Sequence, residues 1–202
     1  MTEATTPSGP AIPVAREELL DRFLDELEAP APSPCGGTAA AAAAAMAAAL
    51  VTMVARGSAD WADGAGIASQ ARALRSRLTT LGDDDTAAFA HVLVMMRDRS
   101  GTSEQRDFML GEALVQAAEV PLQIAEAAAD VADLAALAAA EGSPQLQPDA
   151  TAAAALAEAA VRAATHLVEI NLATVPGDRH TRRAEMLATA AAAARERALG
   201  SV

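Results

Sequence analysis

The sequence has no lysine, no tyrosine, one tryptophan, three phenylalanines and one cysteine. Without lysine there is no Schiff-base chemistry, no phosphate-loop lysine and no lysine general base, and all 15 basic residues are arginine. Aromatics at 2% do not suit a β-sandwich or barrel, whose strands lean on aromatic and β-branched side chains. A single cysteine excludes an internal disulfide. With three scattered histidines it leaves little from which to build a zinc site, so no metal is expected. Positive charge is also scarce. The formal charge of −12 sets up a field that repels nucleic acid and anionic membrane, so neither is an expected partner.

What is present is alanine, the commonest residue by far, in a chain of 202 residues and 20.4 kDa that is 52% hydrophobic. That length suits one domain with a real core. A core of Ala, Leu, Val and Met favours closely packed helices. The expected fold class is all-α, a bundle of six to seven helices around a central Ala-rich helix. Residues 1–14 are polar and Pro-containing, with no basic start. They read as a disordered segment and not as a signal peptide. Residues 15–202 read as a single helical domain. The most apolar run, Thr38–Val54, is short and weak for a membrane span and reads as a buried helix. Cytoplasmic is therefore the default compartment.

Leu19, Leu20, Phe23, Leu24 and Leu27 recur at helical spacing over Ala15–Glu28. Residues 29–37, A-P-A-P-S-P-C-G-G, end that helix and forbid another until Thr38, a good N-cap for the Ala-rich helix that follows. Trp61–Leu81 is a third helical stretch. Gly82 either breaks it or only thins it before Asp83–Asp98 continues. Arg99–Thr102 is a turn, and Ser103 opens a long helix through Ala140, kinked at Pro121. Asp149 is the expected N-cap of the next helix, which runs to about Thr174. Pro176-Gly177-Asp178 turns the chain into a last helix over Thr181–Leu199.

Two features carry possible chemistry. The first is the Ser-Pro-Cys-Gly-Gly-Thr loop, whose glycines let a ligand or a second backbone approach and whose end is a helix N-terminus suited to an anion. The plainer reading is an ordinary helix–helix connection, with Cys35 an inert small residue. The second is Asp83-Asp84-Asp85. Acidic residues in a helix first turn commonly serve the cap and the dipole. Yet Asp85, Phe89, Val92 and Met96 lie on one helical stripe. If the helix already runs through Gly82, Asp85 faces the core or a pocket and Asp84 faces solvent. A carboxyl buried in that way would hold its proton more tightly, which suits a proton-shuttling group. Asn171 in Glu-Ile-Asn-Leu either bonds a ligand or closes helix-end carbonyls. His91, His166 and His180 are separate in pattern and read as surface or hydrogen-bonded core histidines. Met46, Met53, Met95 and Met96 read as core filler.

The ordered pieces resemble the cyclodeaminase/cyclohydrolase family of folate enzymes. They are F-L-D-E-L-E-A-P-A-P-S-P-C-G-G-T-A-A-A at Phe23–Ala41, L-T-T-L-G-D-D-D-T-A-A-F at Leu78–Phe89, A-E-V-P-L-Q-I-A-E at Ala118–Glu126, P-D-A-T-A-A-A from Pro148, and E-I-N-L at Glu169–Leu172. The resemblance implies an all-helical homodimer acting on a tetrahydrofolate derivative, with no tightly bound cofactor. It puts the catalytic aspartate on Asp85 and substrate contacts on the Pro34, Cys35, Gly36, Gly37 loop, Asp149 and Asn171. Two departures stand out. Cys35 replaces the first glycine of the family's triplet, and Met-Met-Arg-Asp-Arg-Ser at Met95–Ser100 replaces its Leu-Pro-Lys segment. Arg72, Arg75, Arg97 and Arg99 are the cations available for an anionic folate tail.

Overall fold

The computed structural model describes residues 16–30, 36–173 and 177–200. The expected disorder of residues 1–14, together with Pro34, Cys35, Thr174 and Pro176, lies outside these. Among the described residues the chain forms six α-helices, one 3-10 turn and no strand. They are α1 (Arg16–Glu28), α2 (Gly36–Gly57), α3 (Gly64–Arg97), α4 (Ser103–Glu141), α5 (Gln147–Asn171) and α6 (Arg179–Gly200), with the 3-10 turn at Pro144–Leu146.

Helices α2, α3, α4, α5 and α6 pack on one another, and α4 touches all of the other four. The main core is chiefly alanine, punctuated by Leu78, Ile124, Val51, Val54, Val131, Val161 and Val168. Alanine is the best helix former, and its small side chain lets helix axes approach closely. That closeness decides where the long side chains go. The methionines expected in the core are mostly outside it: Met46 is 56% exposed, and Met53 and Met96 are also exposed. An Ala-lined seam has no room for them. Helix α2 packs against α3, α4 and α5, while its Met46 and Met53 stay on an open side. Helix α2 alone among the described residues is long and apolar enough to cross a bilayer.

Of the two readings open at Gly82 the unbroken helix is the one found, since α3 runs from Gly64 to Arg97. Three boundaries differ from the sequence expectation. Helix α3 starts later than Trp61, which lies in the preceding turn. Thr38 is not an N-cap, because α2 is already helical at Gly36. Asp149 is not one either, because Gln147 and Pro148 open α5 and Leu146 holds the cap position. Proline is well placed there, since a first helical turn needs no amide proton from it.

The C-terminal half of α3 and the N-terminal part of α4 form an antiparallel pair with a small core of its own, built on Val92, Ala113 and Ala117. Gly101, with φ +71°, closes their turn. Thr102 and Gln105 then cap α4 reciprocally: the Gln105 N–H donates to Thr102 Oγ1 at 3.3 Å and the Thr102 N–H to Gln105 Oε1 at 3.0 Å. Phe89 and Met96, read from the sequence as part of one inward stripe with Asp85, are exposed on this pair.

Candidate functional site

Continuity of α3 through Gly82 settles the three aspartates. They lie in the middle of a helix, so none serves as a cap. Asp83 and Asp84 face solvent, and Asp85 is only 6% exposed. The Asp85 carboxyl lies against Gly37, in the first turn of α2. A Cβ built on Gly37 would come within 2.3 Å of the Asp85 Cγ and of both carboxyl oxygens. Residue 37 must therefore be glycine for the carboxyl to occupy this place. The start of α2 carries the positive end of the helix dipole and N–H groups that have no partner within the helix. Burial opposes the carboxylate, and this helix end favours it.

The crossing of α2 over α3 is fixed one turn away. Thr38 Oγ1 donates to the Gly82 carbonyl at 2.8 Å and lies 3.1 Å from Thr86 Oγ1. A Cβ at Gly82 would meet Ala41 Cβ and Thr38 Cγ2 at 3.6 Å, so the crossing has room for one more methyl group. Sequence reasoning missed this role for Thr38 and Thr86. The signal was present as small and hydroxyl residues one helical turn apart, Gly82 and Thr86, beside the aspartate.

Asn171 ends α5, and its Nδ2 donates to the Ala117 carbonyl of α4 at 3.0 Å. That carbonyl would ordinarily accept from the amide of residue 121, which is proline and has none. Asn171 thus satisfies an orphaned carbonyl, in the middle of a neighbouring helix and not at a helix end. One turn back, Leu167 sits beside Gly36: a Cβ there would meet its two methyl carbons at 3.7 and 3.8 Å, ordinary contacts. Gly36, Gly37, Asp85 and Asn171 are gathered at one end of the bundle.

Asp149 is not gathered with them. It precedes Asn171 by 22 positions on the same helix, roughly 33 Å along the axis. Arg72, Arg75, Arg97 and Arg99 are exposed. Arg72 and Arg75 precede Asp85, and Arg97 follows it, by about three turns of α3. Pro34 and Cys35 lie outside the described residues. Among the described residues no group of three His, Cys, Asp or Glu side chains is arranged to hold a metal ion.

Comparison with known proteins gives the family and the fold. The sequence profile of the formiminotransferase-cyclodeaminase family matches residues 19–192. A methenyltetrahydrofolate cyclohydrolase from Methylorubrum extorquens is 32% identical over 168 residues, covering 78% of this chain and 81% of that protein. The crystal structure of a formiminotetrahydrofolate cyclodeaminase from Thermotoga maritima superposes with a TM-score of 0.79 over 94% of this chain and 96% of that one; at 24% identity it establishes the fold. On the span of the profile and the 32% identity, the chain belongs to the formiminotransferase-cyclodeaminase family.

Proposed function

We propose that the protein is a folate one-carbon enzyme that opens the ring of methenyltetrahydrofolate, with Asp85 as its proton shuttle. One observation carries this reading: a buried carboxyl, on a rigid helix, seated against the glycine start of a second helix. The cyclohydrolase name of the 32% identical relative favours hydrolysis. In that reaction water attacks the cationic methenyl carbon and loses a proton, which Asp85 accepts. The ring C–N bond then breaks, the same proton passes to the departing nitrogen, and the second proton of the added water is released to solvent as the formyl carbonyl forms. One group serves as base and then as acid. While ionised, Asp85 also attracts the cationic carbon.

Cyclodeamination is the second reading, favoured by the family to which the chain belongs. There an amine nitrogen attacks a formimino carbon and ammonia leaves, with the same demand for a group that accepts and returns a proton. Pro34, Cys35, Gly36 and Gly37 then border the substrate. Folate is the small-molecule partner and no resident cofactor takes part. A divergent relative acting on another amidine or cyclic C–N substrate is the alternative suggested by Cys35 and the absent lysine. The enzyme works in the cytoplasm as a homodimer. Exposed Met46 and Met53 on α2, with Phe89, Phe108 and Met109 on the α3–α4 pair, are apolar surface of the kind a second copy would cover.

Purified protein mixed with methenyltetrahydrofolate should remove its absorbance faster than buffer does. Formiminotetrahydrofolate should release ammonia only if the second reading holds. Failure on both substrates would refute the folate assignment, and a monomer in sedimentation at micromolar concentration would refute the dimer.

A further inference from the structure

His180, in the first turn of α6, is 8% exposed and lies between two carboxylates. Its Nδ1 is 2.6 Å from Asp178 Oδ1, and its Nε2 is 3.0 Å from Glu119 Oε1 on α4. The same Asp178 oxygen accepts the His180 backbone N–H at 2.7 Å, so Asp178 is anchored within its own turn. Glu119 is the only one of the three that belongs to another element.

We propose that His180 is a positioning residue for the Asp85 site, clasping Glu119 so that the proline-interrupted turn of α4 is held in place. The inference rests on the function proposed above only where activity is the readout. Glu119 lies two residues from both Ala117 and Pro121. This is the turn of α4 that lacks a backbone bond, and Asn171 of α5 already holds its free carbonyl. Two side chains from two helices therefore brace one weak turn. From it two short routes lead to Asp85. Asn171 lies one turn from Leu167, which sits beside Gly36, the neighbour of Gly37. Ala117 packs with Val92, two turns from Asp85 on α3.

The clasp depends on protons. A ring with two N–H groups donates to both carboxylates. A ring with one donates to a single carboxylate and turns a lone pair toward the other. Asp178 keeps its backbone donor, so the contact released is Glu119. The charged groups around the ring are Glu119 from α4, and Asp178 and Arg179 from the start of α6. On α5, Thr165 is bonded to the Ala184 carbonyl, Asn171 to the Ala117 carbonyl, and Glu169 is paired with His166. Arg183, farther along α6, is paired with Glu126.

The test follows the Gly36 and Gly37 amide resonances of the full chain while the His180 ring is titrated, in wild type and in Glu119→Gln. Glutamine can donate or accept, so it meets the ring in either protonation state. The expected result is that both glycine amides shift with the His180 midpoint in wild type, and that this component disappears in Glu119→Gln. On methenyltetrahydrofolate, wild-type kcat should fall about tenfold as the ring loses its proton, with KM unchanged, and Glu119→Gln should flatten that limb. Glycine amides indifferent to His180 in the folded wild type would overturn the proposal. A wild type that shows the coupled resonances and turns over no folate would refute the function and leave the clasp supported.

Discussion

Replacing Gly37 by alanine tests the site by adding one methyl group. The new Cβ would lie 2.3 Å from Cγ and both oxygens of Asp85. Ordinary contacts between such atoms begin near ~3.5 Å, so the carboxyl must retreat by about 1 Å. It can do so, because it is the end of a side chain and not backbone. The helix has no reason to fail, since alanine is the better helix former. The account therefore predicts a folded protein whose Asp85 is displaced, with turnover reduced by about 100-fold, the scale of a 1 Å misplacement at a reacting centre. Gly66→Ala is the internal control. Its Cβ would meet nothing within 4 Å, so it should keep activity within a few-fold. The assay is kcat on methenyltetrahydrofolate for both variants, with circular dichroism and thermal melts for the fold. If Gly37→Ala is folded and fully active, the placement of the Asp85 carboxyl is not what the reaction uses.

Gly82→Ala should keep the fold and gain about 0.5–1 kcal/mol in urea unfolding, because a helix-interior glycine is replaced where a Cβ meets only contacts of 3.6 to 3.8 Å; a loss of stability would show that α2 and α3 are closer than described. Asn171→Ala should cost about 1–3 kcal/mol, the cost of leaving the buried Ala117 carbonyl without a donor, read as a lower urea midpoint with an unchanged slope. Asp130, although exposed, is raised from its ordinary 3.8, chiefly by partial desolvation, with Arg77 opposing. Its folded form therefore resists ionisation, and the penalty is full above the folded value and absent below the unfolded one. Asp130→Asn should raise Tm at neutral pH, and the gain should vanish as the pH falls below about 4.

The sequence revealed most of the fold because alanine tracts, leucine spacing and proline placement all act locally. Pro121 in the long helix, the turn at Arg99–Thr102 and the helix count follow from such rules. Gly82 did not, because its effect depends on what packs against it, and the Thr38 hydroxyl bonded to its carbonyl ties α2 to α3 at this point. Asp85 was separable from Asp84 by helical phase alone. Its contact with Gly37 joins residues 48 positions apart and could not be read from spacing. The methionines were misplaced for a related reason. Hydrophobicity marks them as core residues, but helices packed through alanine leave no volume for them. Asn171 was legible as a hydrogen-bonding residue, whereas its partner is set by a proline on another helix.

The central claim is that Asp85 shuttles the proton, and the most direct measurement is turnover of methenyltetrahydrofolate by Asp85→Asn beside Asp84→Asn. Asparagine preserves size and some hydrogen bonding, and both residues lie mid-helix, away from any cap. The account predicts that Asp85→Asn folds and melts close to wild type and loses about 100-fold or more in kcat, the scale of a missing acid–base group. Asp84, exposed on the other face, should be silent. Normal turnover by folded Asp85→Asn protein would contradict the mechanism, whatever family the chain belongs to.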